Sequence, residues 1–281
     1  MRSKNFDKLK IEKLPNAEAQ ITGEITLSFL VSLRDEAIKN LAKGVKIDGF
    51  REGHIPQDLL VKKIGEMGIL EEMAELALGK VYPEIIKEAK LSVIGKPEIA
   101  ITKLAPSIPL EFKIKVYLEP EFDLPDYKKI AKDVVVEGED TSSEEYKNKK
   151  RAKIIEELVK AVKVGVPSIL VESEISKMVM QFKEDVSRAG VKWEEYLKEI
   201  KKTDAQLREE WRPRALDRVK AELVFIKIGE KEKIEPKKEE LEKEVKHILA
   251  HHPKADPLNV HIFVYTYLRN QKVLSFLEAI K

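Results

Sequence analysis

The chain has 281 residues, 43% hydrophobic and 36% charged, with a formal net charge of +2. That length accommodates two domains with cores of their own, and the near-balanced charge excludes bulk attraction to nucleic acid, DNA included. With no cysteine, disulfides, thiolate nucleophiles and Cys-based zinc sites are excluded, in keeping with a reducing, cytoplasmic setting.

The first residues, Met1-Arg2-Ser3-Lys4-Asn5-Phe6-Asp7-Lys8, lack an apolar stretch, so no signal peptide is expected. Leu9, Ile11 and Leu14 predict a strand over 8–13, and Pro15-Asn16 a turn. Alternation with β-branched residues extends the next strand over 18–31. Ser32 with Asp35 resembles a helix N-cap, and Ala37, Leu41 and Ala42 give the following helix its buried side, up to Lys43-Gly44. A polar loop follows, Gly49-Phe50-Arg51-Glu52-Gly53-His54-Ile55-Pro56. Beyond it come helices over 56–64 and 69–90, the second carrying Pro83, which is expected to kink or break it. Gly95-Lys96-Pro97 turns the chain into strands 98–104 and 110–118. Two strands, helices, then two strands imply an antiparallel sheet with helices on one face. The fold class expected for the whole chain is α+β, with residues 1–120 as the first domain.

The Pro- and acid-rich stretch from Pro120 to Tyr127 marks a boundary, and residues 121–143 read as a linker. Residues 144–281 read as all helix. Val-Pro at 166–167, Gly190 and the Thr203-Asp204-Ala205-Gln206 capping box separate its helices. Pro213 predicts a kink in the long helix from 204 to about 229. Pro236 opens a helix ending near His252, and residues 257–280 form a last helix or helix pair. The longest apolar run, Val260 to Leu268, is broken by His261 and Thr266 and is too short to span a bilayer, so no membrane partner is expected.

A search for chemistry finds no Gly-x4-Gly-Lys-Ser/Thr loop, which argues against nucleotide use. His247 and His251 lie four apart on a helix but lack a third ligand, so they read as solvated or partly packed side chains. The carboxylates sit in Lys/Glu-rich helix faces and read as surface ion pairs. No catalytic residue, metal or cofactor is assigned. Met178, Met180 and Phe182 are candidates for contact with irregular apolar partners, because methionine adapts its shape. Met178 shares a face with Ile175 and Phe182 and also reads as interhelical core, whereas Met180 lies off that face.

The loop at Gly49 admits two readings. It is an ordinary interhelical turn whose Phe50 folds back, or it holds Phe50 and Arg51 out for contact with a protein or nucleic-acid surface. Its spacing, Gly49-Phe50-Arg51-x-Gly53-x-x-Pro56, resembles the ribosome-docking signature of bacterial trigger factor, Gly-Phe-Arg-x-Gly-Lys-x-Pro. Lys46-Ile47, Leu59-Leu60, Gly65-Glu66, Pro97-Glu98-Ile99 and the run from Pro120 to Tyr127 are similar to that family too. One position differs: the family lysine is His54, mostly neutral at neutral pH. The resemblance implies an ATP-independent chaperone of nascent or unfolded chains that docks at the ribosome exit tunnel. Docking would run through Gly49, Phe50, Arg51, Gly53, His54 and Pro56, against a large-subunit protein and adjacent ribosomal RNA. The helical domain would be the cradle for clients. The family's FKBP-type isomerase domain is inserted after the exit segment and needs about 100 residues; residues 128–143 leave no room for it, so no enzyme activity is expected. A chaperone working free in solution and a helical adaptor without chaperone activity are the other readings.

Overall fold

The computed structural model describes residues 5–45, 56–136 and 143–280. The chain forms two compact units, Met1–Pro120 and Glu121–Lys281.

The first unit is a four-stranded antiparallel sheet backed by helices. Its elements are β1 (Phe6–Leu14), β2 (Glu18–Ile25), α1 (Leu27–Ser32), α2 (Arg34–Ala42), α3 (Gln57–Ala89), β3 (Val93–Lys103) and β4 (Leu110–Leu118). The strand order is β1-β2-β4-β3, which places β2 and β4 in the centre. There Ile21 pairs with Ile114 and Ala19 with Val116, and all four are buried. Direct cross-strand partners share a face, so one side of the centre is continuously apolar and packs on Ile69, Met73, Ala77, Val81 and Ile85 of α3. Gly23 leaves room for two side chains: a Cβ there would meet Leu9 Cδ2 at 2.8 Å and Phe112 Cζ at 2.9 Å and displace them.

Four local expectations are revised. The strand expected over 18–31 stops at Ile25, and Leu27–Ser32 is helical. Leu30 and Leu33, three apart and buried against the core, make helical packing more favourable than further pairing. Ser32 is therefore inside a helix: its Oγ donates to the Phe29 carbonyl at 2.7 Å, and Leu33 stands at the N-cap of α2. Pro83 does not break α3. Val81 and Ile85 on either side of it are fully buried, and that packing outweighs one lost backbone bond. Gly95-Lys96-Pro97 is an irregularity inside β3, where the register shifts between Ile94 and Glu98. An edge strand tolerates a proline there.

The second unit is all helix: α4 (Tyr127–Asp133), α5 (Glu144–Ala161), α6 (Ser168–Arg188), α7 (Trp193–Glu199), α8 (Asp204–Lys231), α9 (Lys238–His251) and α10 (Pro257–Glu278). The stretch read as a linker thus carries α4, whose Tyr127 and Ala131 are buried with Ile154, Leu158, Val224, Ile228, Val273 and Leu277. The Tyr127 hydroxyl donates to Glu232 at 2.6 Å, and the Lys227 ammonium donates to the Phe122 carbonyl. Polar composition hid this helix, because few residues of α4 point inward. Pro213 leaves α8 unbroken, held by buried Ala215 and Val219. The residues over 257–280 form one helix, capped by Asp256, whose carboxylate accepts from the Asn259 N–H at 2.8 Å.

This unit has several small cores. Besides the group around Tyr127, α6 and α8 join through Val171, Ile175, Met178, Val179, Ala215 and Val219. Leu241 of α9 packs on Val260, Val264 and Leu268 of α10. Long helices that share cores only locally leave faces between them uncovered.

Candidate functional site

An uncovered apolar face belongs to α10. Its C-terminal half buries Val273 and Leu277. Counting back from Val273 in steps of three and four gives Asn270, Thr266, Phe263 and Asn259, with Tyr267 and Ile262 alongside. These positions continue the same helical face. Toward the N-terminus no helix covers this stripe among the described residues, and Phe263 is 62% exposed, Tyr267 55% and Ile262 54%. The adjacent face, Val260, Val264 and Leu268, is taken up by α9. A helix apolar on more than one face is ordinarily buried, so α10 displays a surface with room for a partner.

That stripe is one wall of a cleft of about 1320 Å³. The other walls are Ile155 and Val159 of α5, Leu170 of α6, and Leu223 and Ile226 of α8. Phe263 and Tyr267 stack at 6.5 Å with their planes 15° apart, presenting a flat aromatic surface. Pockets for small ligands run to about 1,000 Å³; a larger open trough suits a length of polymer.

Charges along the cleft are mostly engaged with one another. Arg218 lies 3.3 Å from Glu174 and links α8 to α6. Glu156 meets Lys160 at 2.5 Å and Lys153 at 3.1 Å, and hydrogen bonds from Lys160 and then Lys153 hold its carboxyl below the usual carboxylate range. Glu222 accepts from Asn270 Nδ2 at 2.9 Å. A rim neutralised this way gives little preference for the charge of a ligand, which leaves the apolar walls to decide affinity.

The residues expected from the sequence fall elsewhere. Gly49, Phe50, Arg51, Gly53 and His54 lie outside the described residues. Pro56 is exposed at the N-cap of α3, and its carbonyl accepts from the N–H groups of Leu59 and Leu60. Met178 is 8% exposed and packs in the α6–α8 core. Phe182 meets Trp193, Tyr196 and Trp211 edge-on, at 6.0, 5.2 and 5.3 Å. Asp204 fixes this group, accepting from Arg208 Nε at 2.8 Å and Trp193 Nε1 at 3.3 Å. Hydrogen bonds from Arg208 and then Lys183 hold its carboxyl low. Met180 is 60% exposed, in a separate recess with Val179, Lys183 and Arg208. His247 and His251 have ring centres 4.6 Å apart, and among the described residues no group of three ligands could hold a metal.

Sequence reasoning missed Ile262, Phe263 and Tyr267. The signal was the apolar run from Val260 to Leu268, which exceeds what one buried helix face needs.

Comparison with known proteins fits both units. The family model described as bacterial trigger factor protein matches residues 8–149, and that of the trigger factor C-terminus matches residues 128–279. The two matches overlap over 128–149. Among relatives, the trigger factor of Corynebacterium aurimucosum is 35% identical over 138 residues, covering 49% of this chain and 30% of the relative. That of Rhodococcus erythropolis is 35% identical over 123 residues, 44% of this chain and 27% of the relative. The chain thus spans under a third of the length of these relatives. A solved structure of the trigger factor chaperone superposes with a TM-score of 0.63 at 16% identity, over 98% of this chain and all of that one; the likeness extends the shared fold to both units. Two family models that together cover residues 8–279 place this chain in the bacterial trigger factor family.

Proposed function

We propose that the chain is an ATP-independent chaperone that docks at the ribosome exit tunnel through Gly49, Phe50, Arg51, Gly53, His54 and Pro56 and holds apolar stretches of nascent or unfolded chains. The observation that carries the holding role is the cleft of about 1320 Å³ with Phe263 and Tyr267 on its wall. Contact is apolar and shallow, so release needs no nucleotide. The family's partners, a large-subunit protein with adjacent ribosomal RNA, and a cytoplasmic setting belong to this reading. Met178, Met180 and Phe182 contribute differently within it. Met178 and Phe182 support the arm formed by α6, α7 and α8, and Met180 offers a secondary contact. Overlap of the two family matches over 128–149 supports a chaperone without an inserted isomerase domain.

Fully burying a large apolar side chain contributes about 1.5–3 kcal/mol. Phe263 and Tyr267 are 62% and 55% exposed, so a client that covers both gains about 2–3.5 kcal/mol, and replacing them with Ser weakens client binding on the order of a hundredfold. The measurement is light scattering from a chemically denatured client diluted into wild type or F263S/Y267S. Equal suppression at equal chaperone concentration overturns the cleft as the holding site.

A chaperone free in solution is the second reading, favoured by His54 in place of the family lysine. Co-sedimentation with ribosomes decides between them: F50A/R51A is expected to lose most of the retention seen for wild type. Wild-type retention no greater than that of an unrelated protein of like charge favours the free form.

A further inference from the structure

The bend in α3 has its own construction. The helix runs from Gln57 to Ala89, but Gly65 breaks it with φ 82° and ψ 155°, a region open essentially to glycine alone. A Cβ at Gly65 would meet nothing within 4 Å, so backbone conformation, not space, requires glycine. Three residues on, space is what matters: a Cβ at Gly68 would lie 2.8 Å from Ile64 Cγ2. Gly68 leaves the room into which Ile64 folds across the bend. Both sides are then tied down. Leu60 is buried, and Val61 and Ile64 pack on the same core. Directly after the bend, Glu66 accepts two hydrogen bonds from the Arg34 guanidinium of α2, at 2.7 and 2.8 Å. A break with two anchors is a set angle and not a loose joint.

We propose that Gly65 and Gly68 are positioning residues. They fix the direction of segment 57–64, and with it the placement of Pro56, the last residue of the signature, at that segment's N-terminal end. The inference rests on the docking role proposed above. A straight α3 would carry Pro56 along the axis of residues 66–89; the bend turns it aside while Leu60 keeps the segment seated on the core.

The test introduces spin labels at exposed Lys63 and Lys87 and measures their separation beside ribosome co-sedimentation. Gly65→Ala favours continuous helix, so the separation is expected to lengthen toward about 36 Å, the rise of an unbroken helix over that span. Ribosome retention is expected to fall at least fivefold and the thermal midpoint of the first unit to drop, because straightening lifts Leu60, Val61 and Ile64 off the core, with client suppression unchanged. An unchanged separation, or a lengthened one with wild-type retention while F50A/R51A is lost, overturns the inference and leaves docking standing. Wild-type retention by F50A/R51A overturns docking itself, and the inference with it. Should Gly65→Ala not fold, Gly68→Ala serves: it is expected to weaken retention, and adding Ile64→Ala, which removes the colliding atom, to restore it. Failure of that restoration overturns the role of Gly68.

Discussion

Tyr127 shows how one side chain ties a polar stretch into a core. Its ring is buried, its hydroxyl donates to Glu232, and Lys128 and Lys231 lie over the ring at 5.9 and 5.2 Å. Burial, with the Glu232 carboxylate beside it, pushes the hydroxyl up to about 12 from its ordinary value near 10. The folded state therefore holds this proton more tightly than the unfolded state does. The resulting stability is fully present below pH 10 and is lost as pH rises through 12. The loss approaches about 3 kcal/mol. Denaturant titrations across that window are expected to show wild type falling more steeply than Tyr127→Phe. Glu232 keeps Lys128 as a partner at 2.8 Å in that variant. Parallel curves for the two proteins would contradict the account.

At the scale of elements, the cap of α8 was legible in the sequence and the cap expected at Ser32 was not borne out. The Thr203 capping box forms in both directions: the Gln206 N–H donates to Thr203 Oγ1 at 3.2 Å, and the Thr203 N–H to Gln206 Oε1 at 2.9 Å. Caps are readable because donor and acceptor lie within four residues of each other. Neither Pro83 nor Pro213 interrupts the helix it sits in. Their cost is local, whereas the burial that offsets it comes from partners far away in sequence. Pro83 is exposed, so Pro83→Ala sacrifices no packing and restores a backbone donor. Stability of the first unit is expected to rise by about 1–3 kcal/mol, read from its denaturation midpoint. A fall would mean that proline is needed for the path of α3.

Across the whole molecule, the proposed docking and holding roles fall on different units, so they should separate genetically. F50A/R51A is expected to lose ribosome retention and keep client suppression; F263S/Y267S is expected to do the reverse. A variant that lost both while remaining folded would tie the two roles to one surface. Within the second unit, the missed site has a simple cause. Met178 and Phe263 are both apolar residues on amphipathic helices, yet Met178 is 8% exposed and Phe263 is 62% exposed.

The sequence by itself determined the α+β class, the strand at 110–118, the cap of α8 and the signature at Gly49 to Pro56. These depend on side-chain periods of two and 3.6 residues and on hydrogen bonds between near neighbours, and both are written locally. Tertiary structure alone decided that α4 belongs to a core, that Pro83 leaves its helix uninterrupted, and that the stripe of Ile262, Phe263 and Tyr267 stays open. Periodicity states that a helix has an apolar face. Which face finds a partner depends on helices a hundred residues away, and the face left without one is the proposed holding site.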